Sequence, residues 1–262
     1  MGEDGGGDPV VLYAEHATHA RITLNRPDKL NALSPEVFAL LGEAVARFEA
    51  GPAPVAILHG SGRAFAAGAD IEHYQGLSAA DYLEFMRVGN AVQQRLIDCP
   101  KPLIASVHGY ALGGGLELAL CCDLIVAEPG ARLGLPEGRL GLLPGGGGTQ
   151  RLPRLIGTVR AAELVMTARR FSGEEAVSWG LALGCGEAPG ALEAAEALAE
   201  RIGSLAPLAV RMAKVALRGR EAPLATGLSL EQSLGAVLFA SEDAVEGVSA
   251  FVEKRSPVWR GR

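Results

Sequence analysis

Residues 102–127 read PLIASVHGYALGGGLELALCCDLIVA, and the order of that stretch decides the fold class. Residues 102–107 are an apolar run of strand length. The run Gly113-Gly114-Gly115 interrupts it, a helical stretch follows, and residues 123–127 form another short apolar strand. Strand, glycine run, helix and strand in succession is the unit of a sheet built with crossovers. Upstream, residues 55–59 are a strand followed by a loop from Gly60 to Gly68, and Ser78 caps a helix carrying Tyr82, Phe85, Met86 and Val92. Ser34-Pro35 opens an earlier helix, with serine as the cap and proline at the first helical position. Its apolar stripe is Val37, Leu40, Leu41, Ala44, Val45 and Phe48, spaced for one helical face. Residues 10–15 and 18–25 read as a hairpin in which Ala20, Ile22 and Leu24 alternate with polar neighbours. Downstream, Ser172-Gly173-Glu174-Glu175 is a capping box. Residues 191–252 show only helical periodicity, broken near Pro207 and Pro223. The reading is an α/β protein: a flexible tail over residues 1–8, a core domain over 9–190 and a helical region over 191–262.

Glycine supplies 35 of the 262 residues, about 13% against a usual share of about 7%. No Gly-X-Y period is present, and a 48% hydrophobic content argues against disorder. The net charge of −6 is the wrong sign for a general nucleic-acid binder. Cys99, Cys121, Cys122 and Cys185 form no zinc spacing and read as reduced thiols of a cytoplasmic protein. The start, MGEDGGGDP, lacks the apolar core of a signal peptide. The stretch from 102 to 116 is too short and glycine-rich to span a membrane. Dinucleotide, P-loop, nucleophile-elbow and zinc-protease motifs are absent. The histidines at 16, 19, 59, 73 and 108 are scattered and suit surface or packing roles.

Small residues collect where strands should end: Ala64-Phe65-Ala66-Ala67-Gly68-Ala69-Asp70, Gly113-Gly114-Gly115-Leu116-Glu117 and Gly145-Gly146-Gly147-Gly148-Thr149. A helix start exposes N–H groups that have no partner inside the helix. Glycine lets a ligand approach them closely, so two such groups from two loops suit one developing oxyanion. Tight turns and close packing are the other use of such runs. Glu117 lies one helical turn beyond Gly114 between leucines, where a solvent-facing acid is out of place. Glu137, in Leu133-Gly134-Leu135-Pro136-Glu137, also has apolar neighbours. Two carboxyl groups sharing a low-dielectric site push their pKa values apart, which suits paired acid and base work.

With these residues in place, the sequence resembles the enoyl-CoA hydratase/isomerase family, or crotonases, from about residue 10 to the C-terminus. The resemblance is carried by Asn25-Arg26-Pro27, Leu30-Asn31-Ala32-Leu33, Ala66 to Ile71, Lys101-Pro102, Gly109 to Gly115 with Glu117, Cys122-Asp123, Pro136-Glu137 and Leu140 to Leu152. It implies a crotonase-like spiral of ββα units with a C-terminal helical trimerisation region, in a homotrimer or a hexamer made as a dimer of trimers. It implies an acyl-CoA substrate whose thioester oxygen sits in an oxyanion hole of the Ala69 and Gly114 N–H groups. In the family's hydratases both glutamates hold a water. Glu117 is then the base toward the water added at the β carbon, and Glu137 protonates the α carbon. The N–H of Gly145 is expected to support Glu137. Contacts to substrate and CoA fall on Asp28, Lys29, Leu30, Ala67, Asp70 and Ile71. No metal or redox cofactor is implied, since CoA arrives with the substrate. Lys29 and Arg63 are either phosphate partners or ordinary solvated side chains, and Tyr74 and Phe85 either line the acyl pocket or pack the core.

The sequence departs from the family at Leu135, where hydratases often carry glutamine, and at Glu72-His73, where many carry a basic residue. Both retained glutamates favour an enoyl-CoA hydratase over a Δ3,Δ2-enoyl-CoA isomerase. They also disfavour a non-catalytic RNA-binding member, as does the negative charge.

Overall fold

The computed structural model describes residues 8–219 and 222–262; the tail expected at the N-terminus lies, except for Asp8, outside the described residues. β1 (Val11–Glu15) and β2 (Ala20–Leu24) form the antiparallel hairpin. Ser34 accepts a hydrogen bond from the Val37 N–H and Pro35 takes the first helical position, which starts α1 (Pro35–Ala50). β3 (Ala56–Gly60) leads to α2 (Ala79–Asp98), whose start is a reciprocal cap between Ser78 and Asp81. β4 (Leu103–Val107), β5 (Tyr110–Leu112) and α3 (Gly114–Ala119) come next. β6 (Leu124–Ala127), β7 (Arg132–Gly134), α4 (Gly148–Ile156) and α5 (Thr158–Thr167) repeat that order. β8 (Arg170–Ser172), α6 (Gly173–Ser178) and β9 (Leu183–Gly184) follow. The chain ends in α7 (Ala191–Gly203), α8 (Pro207–Arg218), α9 (Leu224–Phe239) and α10 (Glu242–Glu253).

The strands make two sheets. One runs in the order β1-β2-β3-β4-β6-β9 and is parallel from β2 onward; the other is β5-β7-β8. A bridge between Ala66 and Ala111 carries the small sheet one step further, into the loop after β3. The chain therefore visits the large sheet, then the small sheet, then a helix, and does so repeatedly. This is a spiral of ββα units.

Side-chain alternation assigns the faces of the large sheet. Val55, Ile57, Ile104 and Val126 point to one side, where Ala191, Ala195 and Ala199 of α7 cover them. Ala56, Leu58, Leu103, Ala105 and Ala127 point to the other and join the main core with Val37, Leu41, Val45 and Phe48 of α1. α7 is thus a covering layer of the sheet. α8 is tied on by charge: Lys214 Nζ donates to the Lys101 carbonyl at 2.7 Å and to Asp123, which also accepts from the Leu103 N–H at 2.8 Å. α9 buries none of its residues in the single chain.

Candidate active site

The strand register brings the site together. Ala66 pairs with Ala111, and Ala111 pairs with Leu133, so the three small-sheet positions lie side by side. Three residues beyond Ala66 stands Ala69, three beyond Ala111 stands Gly114, and just past the same offset from Leu133 comes Glu137. Neighbouring strands lie about 4.8 Å apart, so Ala69 and Gly114 present their backbones side by side.

Local hydrogen bonds aim those backbones. In the parallel bridge between Leu33 and Ala69, Leu33 N–H donates to the Gly68 carbonyl at 2.8 Å and Asp70 N–H donates to the Leu33 carbonyl at 2.9 Å. In such pairing the residue between turns its own N–H away. Gly114 begins α3, so its N–H has no helical partner. Among the described residues neither N–H makes a hydrogen bond. The glycines around them are required. Gly113 sits at φ 50° and ψ −125°, and a Cβ on it would lie 2.9 Å from Glu137 Oε1. A Cβ on Gly115 would overlap the Ala66 carbonyl, so only glycine lets α3 approach that loop.

Both N–H groups and both acids face one cavity of about 130 Å³. Ala67, Ala69 and Ile71 line one wall, and Gly114, Glu117 and Glu137 the floor. Tyr82, Phe85, Met86, Asn90 and Gln93 of α2 form the opposite side. Tyr74 also lines the cavity and meets Tyr82 and Phe85 edge to face, with ring centroids 5.4 and 5.5 Å away. Tyr74 and Phe85 thus do both: they line the pocket, and Phe85 belongs to the main core with Tyr74 packed against it.

The two carboxyl groups sit in different surroundings. Glu117 is 3% exposed, and its Oε1 accepts from the Gly148 N–H at 2.8 Å, at the start of α4. Burial raises its pKa, while the Gly148 and Gly146 N–H groups and the Arg151 charge pull it back. Glu137 Oε2 is buried without a hydrogen-bond partner. Burial, with the Glu117 charge beside it, raises the Glu137 carboxyl to about 7, opposed by its own backbone N–H. Burial first, then Tyr82 and the two acids, raises the Tyr74 phenol to about 12.

Several expected contacts take other roles. Gly145 does not support Glu137: it lines the cavity against Met86, and its carbonyl accepts from Asn90 Nδ2 at 3.1 Å. The glycine run serves Glu117 instead, because α4 starts at Gly148 and aims its first N–H at that acid. Asp70 faces away from the cavity and pairs with Arg26 Nη2 at 2.9 Å, while Arg26 Nη1 holds the Ala32 carbonyl at 2.6 Å. It latches the loop that carries Ala69. Asp28 and Lys29 lie on a 3₁₀ turn and Leu30 follows it; none of the three lines the cavity. Leu30 adjoins the site through its carbonyl, which accepts from the Ala67 N–H at 2.9 Å. Lys29 Nζ pairs with Glu72 at 2.9 Å, so the unusual acid at 72 occupies the lysine. Gln93 and Asn90 escaped the sequence reading. They share the α2 face of Tyr82, Phe85 and Met86, and projecting that stripe one to three turns onward finds them. Among the described residues no cluster of acids, histidines and cysteines could hold a metal ion.

Two unpaired backbone donors beside two unequal carboxyl groups are the parts needed to polarise a carbonyl and move protons next to it. The sequence profile described as Enoyl-CoA hydratase/isomerase matches residues 14–262. The 2,3-dehydroadipyl-CoA hydratase of Escherichia coli is 42% identical, over 92% of this chain and 94% of that protein. The crotonyl-CoA hydratase of Syntrophomonas wolfei is 41% identical, over 94% and 95%. The crystal structure of enoyl-CoA hydratase from Bacillus anthracis superposes with a TM-score of 0.91 at 38% identity, covering 97% of this chain and all of that one. The chain belongs to the enoyl-CoA hydratase/isomerase family.

Proposed function

We propose that the protein is an enoyl-CoA hydratase, which adds water reversibly to a trans-2-enoyl-CoA to give a 3-hydroxyacyl-CoA. The observation that carries this is the inequality of the two acids. Glu117 has backbone donors and a guanidinium to stabilise its charge, whereas Glu137 has a buried, unpartnered oxygen and is raised to about 7. Glu117 is therefore the base and Glu137 the acid.

The thioester oxygen accepts from the Ala69 and Gly114 N–H groups, which draws electron density from the conjugated double bond. Glu117 takes a proton from water as the water oxygen bonds to the β carbon. Glu137 gives its proton to the α carbon, and the oxyanion collapses back to the thioester. One water is consumed: its oxygen keeps one hydrogen as the new β-hydroxyl and passes the other to Glu117, Glu137 supplies the hydrogen at the α carbon, and proton exchange resets the two acids. The step is redox-neutral and calls for no cofactor beyond the CoA that the substrate carries.

The reading extends to assembly and place. The exposed Leu224, Phe239, Val245, Val248, Phe251 and Val252 of α9 and α10 support a homotrimer or a pair of trimers. Light scattering should give three or six times the 27.1 kDa chain mass; a monomer overturns it. Among the described residues no helix is long and apolar enough to cross a membrane. Four free cysteines agree with a cytoplasmic setting.

Crotonyl-CoA and longer enoyl-CoAs test the activity directly. The conjugated thioester absorbs in the ultraviolet, and hydration removes that signal. Absence of loss across all chain lengths refutes the hydratase. Gain of the signal from a 3-enoyl-CoA, without hydration, identifies an isomerase.

A further inference from the structure

Arg151 stands on α4, one turn beyond the glycine run, and does not line the cavity. Its guanidinium nevertheless folds back over that run. Nη1 donates to the Gly146 carbonyl at 2.6 Å and reaches Gln93 Oε1 at 3.4 Å. Gly147, at φ 94°, lies directly under it, and a Cβ there would overlap the guanidinium. Gln93 is 2% exposed, and its amide lies 2.7 Å from where a Gly146 Cβ would be. On the other side of the same turn, the Gly148 N–H donates to Glu117 Oε1. A cation near a helix start is opposed by the helix dipole, so its position there needs a compensating anion. Glu117 is the carboxyl on the far side of that turn.

We propose that Arg151 is a positioning residue for the hydration reaction: it clamps the turn over residues 146–148 so that the N–H donors stay aimed at Glu117, and it sets its own cationic head on that turn. The proposal rests on the hydratase reading for its kinetic form. The groups facing Glu117 are Glu137 from the turn after β7, Tyr74 from the turn after Ala69, Cys121 beyond α3, the uncharged Gln93 from α2, and Arg151. Arg151 is the only cation among them, and its charge lowers the Glu117 pKa.

The test is the pH dependence of hydration by the intact protein. Arg151→Met keeps the length of the side chain and removes its charge and donors. Its acid limb should move to higher pH by about one unit, with kcat reduced and KM unchanged. Arg151→Lys keeps the charge and should leave the limb near the parent's. An Arg151→Met profile that superimposes on the parent's refutes the proposal, as does an equal shift in Arg151→Lys. Should Arg151→Met fail to fold, Arg151→Gln carries the same expectation. Should the parent hydrate no enoyl-CoA, the hydratase reading fails by itself. The carboxyl carbon-13 titration of Glu117 in labelled parent and variant then decides the role of Arg151 separately, since it requires no turnover: a raised Glu117 midpoint in Arg151→Met supports the proposal, and an unmoved one overturns it.

Discussion

Replacing Glu137 with glutamine should remove hydration and, at the same time, stabilise the folded protein at alkaline pH. Its carboxyl is raised from 4.5 to about 7 by burial, its own N–H opposing, with the Glu117 charge adding to the rise. The folded state thus binds this proton more tightly than the unfolded chain. Stability from this group is fully present below the unfolded value and is lost as pH rises through the window from 4.5 to about 7. At about 1.4 kcal/mol per pH unit the loss has a ceiling of about 3 kcal/mol. Glu137 is only half-buried, and solvent screening reduces this to about 1–2 kcal/mol. For a chain of this size that is roughly 2–6 °C in Tm. Glutamine cannot ionise, so its advantage over glutamate should grow by that amount between about pH 5 and pH 8. Any constant cost of an unpaired amide cancels in this difference. Differential scanning calorimetry of parent and Glu137→Gln, without acyl-CoA and at equal concentration, measures it. A difference in Tm that does not change with pH, or that shrinks as pH rises, refutes the assignment of Glu137 as the proton-holding acid.

Glu117→Gln should slow hydration by about 10²–10⁴, or roughly 3–5 kcal/mol of barrier, and stopped-flow loss of the enoyl signal reads it; full activity would remove Glu117 from the mechanism. Gly115→Ala should destabilise by at least about 1–3 kcal/mol, because the methyl overlaps the Ala66 carbonyl; an unchanged denaturant midpoint contradicts that contact. Asp70→Asn should lower stability by about 1–3 kcal/mol, since the Arg26 pair is mostly buried, with side chains 20% and 14% exposed. Its KM for acyl-CoA should hold, and a raised KM with unchanged stability would make Asp70 a substrate contact after all.

Much of the scaffold was legible because its signals are local. Ser34 and Ser78 cap the helices they precede, and the stripe from Val37 to Phe48 is the buried face of α1. In the large sheet β3, β4 and β6 are short apolar runs and β2 alternates, so these announce themselves, whereas β9 has two residues and does not. The small sheet was not legible. β5, β7 and β8 are three residues each, too short to show a period. The break between α9 and α10 at Ser241 was also missed, since no proline or glycine marks it. At the site, Glu117, Glu137, Ala69 and Gly114 could be named from apolar context, glycine runs and family motifs. The partner of the second glycine run could not, because chain proximity favours Glu137 as partner. Space favours Glu117, because α4 returns to the end of α3. The partners of Asp70 and Lys29 were hidden for a related reason. A charged residue near a cleft looks like a ligand contact until its partner is seen, and Arg26 and Glu72 are those partners.

The spiral explains why so little chemistry needs so much glycine. Each turn leaves the small sheet at a registered position, and the residues just beyond it are delivered to the same column: Ala69 from the first turn, Gly114 from the second, Glu137 from the third. A repeat that stacks backbones at strand spacing puts two N–H donors within reach of one oxygen without any catalytic side chain. The cost is crowding, since loop and helix backbones must approach where β-carbons would collide. Gly113 and Gly115 relieve it on either side of Gly114, and Gly146 and Gly148 relieve it where α4 meets Glu117. The side chains left to differentiate the turns are the two acids, and their unequal surroundings follow from one asymmetry: the second turn receives the N-terminus of α4 and the third does not.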